Sequence, residues 1–192
     1  MIYRSVADLI AEILRRAAGH PSPLVVALDG RSGAGKSTVA HELARTLGAA
    51  VVNGDDFYAG GTFAEWARKM AAEKATYCVD WQRLRVEALE PLRSGRPATW
   101  RPYNWETLVG LSSVTKTCDP APIIILDGAY SSRPELADLL DLTVLVRLPD
   151  PIRLERLVLL SFSMAQTTYP KAIKWDLDGV QVMALGSAVR KS

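Results

Sequence analysis

The chain has 192 residues, 48 % apolar and 23 % charged, with a net charge of only +2. That length suits a single domain with a real core, and the balanced charge gives no support to nucleic-acid binding by bulk electrostatics. No apolar run approaches the roughly 18 residues of a membrane span, and the acid-bearing start "MIYRSVADLIAEILRRAAGH" does not read as a signal peptide.

In chain order, Ile2, Val6, Leu9, Ile10, Ile13, Leu14 and Ala17 recur at helical spacing, which predicts an amphipathic helix ending near Gly19 and Pro21. "PLVVAL" follows as a short strand covered on both faces. After a glycine-rich stretch, "KSTVAHELARTLG" predicts a helix closed by Gly48, and "AAVVN" a second buried strand leading into "GDDFY". Thr62 and Glu65 form a capping box for a helix to about Lys74, and Asp80 caps a further helix bearing Trp81, Leu84, Ala88, Leu89 and Leu92. Residues 98–117 predict a hairpin or two short strands. "PIIIL" is a third buried strand ending in "DGAY"; Pro134 starts a short helix; "LTVLV" is a fourth strand. Asp150 and Pro151 open a helix to about Leu160. Beyond Ser161 the periodicity is weak. Cys78 and Cys118 sit in no metal or redox spacing and read as reduced thiols of a cytoplasmic protein.

Alternating strands and helices mean a mostly parallel sheet wrapped by helices, a three-layer α/β/α fold. The glycine stretch explains what that fold carries. Gly30, Gly35, Lys36 and Ser37 fit G-x-x-x-x-G-K-[ST] between a buried strand and a helix, the context of a phosphate-binding loop, or P-loop. Backbone N–H groups converge on an anion only where no Cβ intervenes, and the following helix adds its dipole. The expected cofactors are ATP and Mg²⁺. Residues Gly30, Arg31, Ser32, Gly33, Ala34, Gly35, Lys36, Ser37 and Thr38 cradle the phosphates, with Lys36 on the β- and γ-phosphates and Ser37 on the metal.

Two further places decide the chemistry. Asp127 ends the third strand, where an acid supports Mg²⁺ through its water shell; the alternative is an acidic turn before Gly128. Asp55 and Asp56 follow the second strand, beyond the carboxyl ends where ligands gather in such sheets. An alcohol kinase needs a carboxylate there to accept the hydroxyl proton; the alternative is a solvated acidic turn.

"GRSGAGKST", "DDFY" and "LDG", in this order, resemble the uridine kinase and phosphoribulokinase group of P-loop kinases, especially the short bacterial uridine kinase-like proteins, over residues 22–157. The resemblance implies that Asp55 is the catalytic base, with Lys36 assisting catalysis, Tyr58 near the substrate, Asp127 on Mg²⁺, and Asp56 dispensable, so that Asp56→Ser would keep most of the activity. It further implies that Asp80 holds the ribose hydroxyls, beside its role as a helix cap. Tyr103 and Trp105 of "YNW" would line the base pocket, unless they are simply hairpin core. Arg153 and Arg156 of "DPIRLERL" would clamp phosphates from a lid, unless they are ordinary surface charges.

Two places depart from the family. Leu108 stands where uridine kinases carry a His that reads the pyrimidine, and "LVLLSFSM" replaces the charged continuation of the lid. Either the lid is remodelled, or the C-terminal part packs differently, for instance in a homo-oligomer. The expectation is one P-loop kinase domain over 1–192, with an acceptor-binding insertion at about 60–118 and a lid and C-terminal segment at about 150–192. It would act on a small-molecule acceptor, a nucleoside or similar, with no nucleic-acid or membrane partner. Kinases for a sugar, pantothenate or an antibiotic hydroxyl, and a nucleotide-dependent regulator or ATPase without acceptor, stay open.

Overall fold

A computed structural model of the chain describes residues 2–3, 5–157 and 180–184. Six strands form the main sheet: β1 (Ile2–Tyr3), β2 (Leu24–Asp29), β3 (Ala50–Asn53), β6 (Ile123–Asp127), β7 (Leu142–Arg147) and β8 (Gln181–Ala184), in the spatial order β1-β8-β7-β2-β6-β3. β7, β2, β6 and β3 run parallel, whereas β8 is antiparallel to both β7 and β1. The four strands read from the sequence are the four parallel ones. β1 and β8 are additions that the sequence did not announce.

The first helix, α1 (Val6–Ala17), starts four residues later than the apolar spacing predicts. Ser5 caps it by accepting from the Asp8 N–H, and Ile2 and Tyr3 pair instead with Met183 and Val182 of β8. α2 (Lys36–Leu47) emerges directly from the glycine stretch and ends at Gly48 in the left-handed conformation (φ +62°).

The central strands are buried on both faces, so their alternation sorts two cores. Leu24, Val26 and Leu28 of β2 and Ile123 and Ile125 of β6 pack with Leu9 and Ile13 of α1 and Val39 and Leu43 of α2. Val25 and Ala27 of β2 and Ile124 and Leu126 of β6 face the other layer. That layer is a continuous helical run: α5 (Trp81–Arg83), a π-helical stretch (Leu84–Leu89) and α6 (Glu90–Arg93), with Leu84, Ala88, Leu89 and Leu92 inward. Asp80 caps it, accepting from the Arg83 N–H at 3.1 Å.

The capping box at Thr62 and Glu65 is formed, but its helix is shorter than the spacing predicts. α3 (Phe63–Arg68) stops at Lys69, and α4 (Ala71–Tyr77) restarts behind Met70, where Glu73 bonds back to the Met70 N–H. The hairpin is present as β4 (Ala98–Trp100) and β5 (Lys116–Cys118), a two-stranded sheet separate from the main one. Pro134–Leu136 is a single 3₁₀ turn, and residues 150–157 form α7. The apolar continuation of the lid beyond residue 157, and most of the C-terminal segment, lie outside the described residues. Among those described, no helix is long and apolar enough to cross a membrane.

Candidate active site

The carboxyl ends of β2, β6 and β3 come level at one edge of the sheet, since Leu28 and Asn53 both pair with Asp127. Three loops leave from there. The first is the P-loop, where Gly30, Gly33 and Gly35 all have positive φ (146°, 80° and 95°). A Cβ on Gly30 would run into the Val146 carbonyl, and one on Gly33 would lie 3.0 Å from the Arg153 carbonyl and from Leu157. The loop is thus pressed against β7 and α7, and only glycine fits. Lys36 is nearly buried and donates to the Arg31 carbonyl at 3.2 Å. α2 begins at Lys36 with no side-chain cap, so its first N–H groups are left for an anion.

The second loop follows β6. Asp127 is buried, and Ser37 lies close enough to favour its ionised form. Its Oδ1 nevertheless has no hydrogen-bond partner among the described residues. Burial pushes this carboxyl above the ordinary carboxylate range and nearby Asp55 adds to the rise, while Ser37 and Lys36 oppose it. An orphaned buried carboxylate oxygen beside a P-loop serine fits a hard cation. Among the described residues no cluster of three or more His, Cys, Asp or Glu side chains gathers, so phosphate and water would complete the coordination, as Mg²⁺ prefers.

The third loop is the 3₁₀ turn Gly54–Phe57 after β3. Asn53 caps it, accepting from the Asp55 N–H at 3.0 Å. Asp55 is exposed on this turn. The surrounding protein displaces its hydration and raises its carboxyl, Asp56 raises it further, and Lys36 counteracts both. Lys36 therefore acts on both Asp55 and Asp127. Asp56 turns the opposite way and is 4 % exposed. It accepts from Trp100 Nε1 at 2.9 Å and from Lys116 Nζ at 2.7 and 2.9 Å. A buried carboxylate bound by Trp100 and Lys116 does not fit the expected dispensable residue: Asp56 is a structural hub.

Aromatic rings stand beside Asp55. Tyr58 lies 4.9 Å from Tyr103, 5.0 Å from Trp105 and 5.9 Å from Trp66, ring centre to ring centre. Burial drives the Tyr58 phenol up to about 12. Trp105 Nε1 reaches the Asp55 carbonyl at 3.3 Å. Tyr103 is buried and its hydroxyl donates to the Leu108 carbonyl at 2.6 Å, so it has a packing role as well. Leu108 has a left-handed backbone (φ +56°) and is 61 % exposed, its side chain turned to solvent. Asp80 sits one layer behind, its N–H donating to the Phe57 carbonyl at 2.8 Å.

The lid arginines are not surface charges. Arg153 and Arg156 are both buried. Arg153 donates to Asp150 at 2.9 Å and to the Ser32 carbonyl at 3.3 Å; Arg31 donates to the same Asp150 at 3.0 Å. Arg156 lies over Gly35, with Nη1 3.5 Å from where a Cβ would stand. A cavity opens beside this cluster, lined by Arg31, Ala34, Val146, Leu148 and Pro149.

Two residues escaped the sequence reading. Asp29, at the end of β2, accepts from the N–H groups of Gly30 (2.6 Å), Tyr130 (2.9 Å) and Ser132 (3.0 Å), and from the Ser132 hydroxyl. It ties the P-loop to the loop after Asp127. Its only sequence signal is its place just before Gly30. Tyr130 takes a left-handed backbone (φ +62°), uncommon for an aromatic residue and typical of constrained sites.

Comparison with known proteins finds similarity to kinases. The cytidylate kinase family model matches residues 26–89, from β2 through the π-helical stretch. A uridine kinase of Deinococcus deserti is 28 % identical over 172 residues, covering 87 % of this chain and 82 % of that protein. Among solved structures, a candidate fructose transport system kinase from Silicibacter sp. TM1040 superposes with a TM-score of 0.65 at 21 % identity, over 86 % of this chain and 85 % of its own. A candidate uridine kinase from Bacillus stearothermophilus gives 0.60 at 23 %, over 79 % and 84 %. The fold is that of the P-loop kinases, and the motif resemblance to uridine kinase-like proteins is matched by the curated relative.

Proposed function

We propose that the protein is an ATP-dependent kinase that moves the γ-phosphate to a hydroxyl of a small acceptor of the nucleoside kind. The observation that carries this reading is the convergence of the P-loop, the Ser37–Asp127 pair and Asp55 at one end of the parallel strands. The similarity to a uridine kinase supports the choice of acceptor.

In this reading the P-loop N–H groups and Lys36 hold the β- and γ-phosphates, and the nucleoside of the donor lies toward the cavity beside Arg31 and Pro149. Ser37 and Asp127 hold Mg²⁺, which when bound neutralises charge on the phosphates. Arg156 and Arg153, fixed over the loop by α7, add positive charge there. Asp55 orients the acceptor hydroxyl and takes its proton as the oxygen attacks. Its displaced hydration makes it a stronger base than an ordinary aspartate, with Lys36 opposing the rise. Tyr58 and Trp105 offer ring faces to a flat or ring-bearing acceptor; Asp80 would hold its hydroxyls beside its role as a helix cap.

A second reading keeps the chemistry and changes the acceptor to another metabolite, such as a sugar. It is favoured by Leu108, whose exposed aliphatic side chain supplies no hydrogen bond to a pyrimidine edge. One experiment separates these readings. The protein is incubated with ATP and Mg²⁺ and a panel of nucleosides, nucleoside monophosphates, sugars and water alone, and ADP and phosphorylated product are followed. ADP release stimulated by nucleosides, and abolished in Lys36→Ala, is the expected result. Stimulation by sugars alone selects the second reading, and turnover indifferent to every alcohol rejects both.

A further inference from the structure

We propose that Asp56 is a positioning residue: by accepting from Trp100 and Lys116 together, its buried carboxylate locks the aromatic hairpin to the turn that carries Asp55. The inference rests on the kinase reading, in which the hairpin wall binds the acceptor and Asp55 takes its proton.

The hairpin has no strand in the main sheet, so its attachment must come from elsewhere. Ala98 and Trp100 pack with Leu84 and Ala88, Arg83 donates to the Arg101 carbonyl, and three consecutive residues of the Asp55 turn add the contacts nearest the acceptor wall. The Asp55 carbonyl accepts from Trp105, and Asp56 accepts through its side chain and, at 2.7 Å, through its carbonyl from the Tyr103 N–H. The Phe57 ring packs on Trp100 at 5.6 Å. The two donors to the Asp56 carboxylate are themselves cross-strand partners, Trp100 of β4 facing Lys116 of β5. One carboxylate therefore clasps both strands at the same level.

A carboxylate this deeply buried is costly unless every lone pair finds a donor. Simple packing of the hairpin would be served as well by an aliphatic residue. What the carboxylate adds is direction, because a charge-assisted bond fixes angle and distance where apolar contact only excludes water. Tyr103 and Trp105 follow Trp100 by three and five residues, so an error in the placement of β4 passes directly to the acceptor wall. Lys116, whose side chain is 49 % exposed, closes the clasp from the solvent side.

The test uses the full chain as Asp56→Asn, Lys116→Met and Lys116→Arg. Asp56→Asn retains an acceptor for Trp100 but loses the ion pair; Lys116→Met leaves the Trp100 bond intact and removes only the cation. In folded protein, confirmed by circular dichroism, both should raise the acceptor KM about tenfold and lower kcat, with the KM for ATP unchanged. Hydrogen exchange over residues 98–105 should accelerate, while β2 and α2 keep their protection. Lys116→Arg should stay within about twofold of wild type, since a guanidinium can still pair with the carboxylate. Should Asp56→Asn fail to fold, Lys116→Met carries the test alone. Folded variants with wild-type acceptor KM and exchange would overturn the proposal, as would a loss explained wholly by a smaller folded fraction. If the wild type phosphorylates no alcohol, the kinase reading fails, and the exchange data alone still decide whether Asp56 couples hairpin and turn.

Discussion

Gly54 and Gly128 meet backbone to backbone. A Cβ on Gly128 would stand 3.1 Å from the Gly54 Cα, and one on Gly54 would stand 3.2 Å from the Asp127 carbonyl. Each glycine adjoins an acid of the candidate site, so the contact sets how close the Asp55 turn comes to Asp127. Gly128→Ala should push the two loops apart. Overpacking of this kind costs about 1–3 kcal/mol, and denaturant unfolding will read it. The added distance should also lower kcat in the fraction that remains folded. Wild-type kcat in a folded Gly128→Ala protein would show that the spacing is not critical.

Asp127 trades stability for a ligand site. Its carboxyl is pushed up by burial, so the ionised form is disfavoured in the fold. Its contribution to stability is present below the ordinary carboxylate pKa of about 3.9 and is lost as pH rises through the higher folded value. Near pH 8, Asp127→Asn should therefore melt higher than wild type when both are free of ligand. With Mg²⁺ and a non-hydrolysable ATP analogue the order should reverse, because saturating ligand adds about 2.7 kcal/mol at a hundred times Kd and the variant forfeits part of it. Thermal melts with and without ligand check both signs.

If Asp55 is the base, it should set the acid limb of activity. Desolvation by the surrounding protein raises its carboxyl, with Lys36 as the opposing charge. The base works only when ionised, so kcat/KM should rise with pH over a window lying above the ordinary value of about 3.9. Asp55→Asn should cost about a hundredfold in kcat, flatten that limb and leave ATP affinity nearly intact. An acid limb that persists in Asp55→Asn would assign the proton to another group.

Trp105 and Tyr103 should separate binding from packing. Trp105 is part-exposed and tied to the Asp55 carbonyl, whereas Tyr103 is buried and tied to the Leu108 carbonyl. Trp105→Ala should raise the acceptor KM about tenfold, in line with about 1–3 kcal/mol per stacked ring, with little loss of stability. Tyr103→Ala should instead lose about 3 kcal/mol of stability. Urea unfolding set beside acceptor kinetics distinguishes the two, and an unchanged KM in Trp105→Ala would remove that residue from the acceptor wall.

The parallel strands, the helices on either side of them and the P-loop were legible in the sequence because their signals are local. A strand covered on both faces must be a short apolar run, and a loop that presents its N–H groups must carry glycines at fixed spacing. Thr62 and Asp80 cap helices through neighbours three residues away, so they too were readable. What tertiary structure alone decided are the long-range polar choices. Asp55 and Asp56 are identical and adjacent, yet one is exposed and feels the Lys36 charge while the other is buried by donors 44 and 60 residues further along. Asp29 joins loops about a hundred residues apart. Arg153, which as a sequence could equally be a surface charge, is buried because Asp150 and the Ser32 carbonyl meet it there. β1 and β8 are two and four residues long, too short for any periodicity; β8 forms by pairing with β7, and β1 by pairing with β8. Apolar burial writes itself into spacing along the chain. The partner of a buried charge does not, because it is set by which loops the fold brings together.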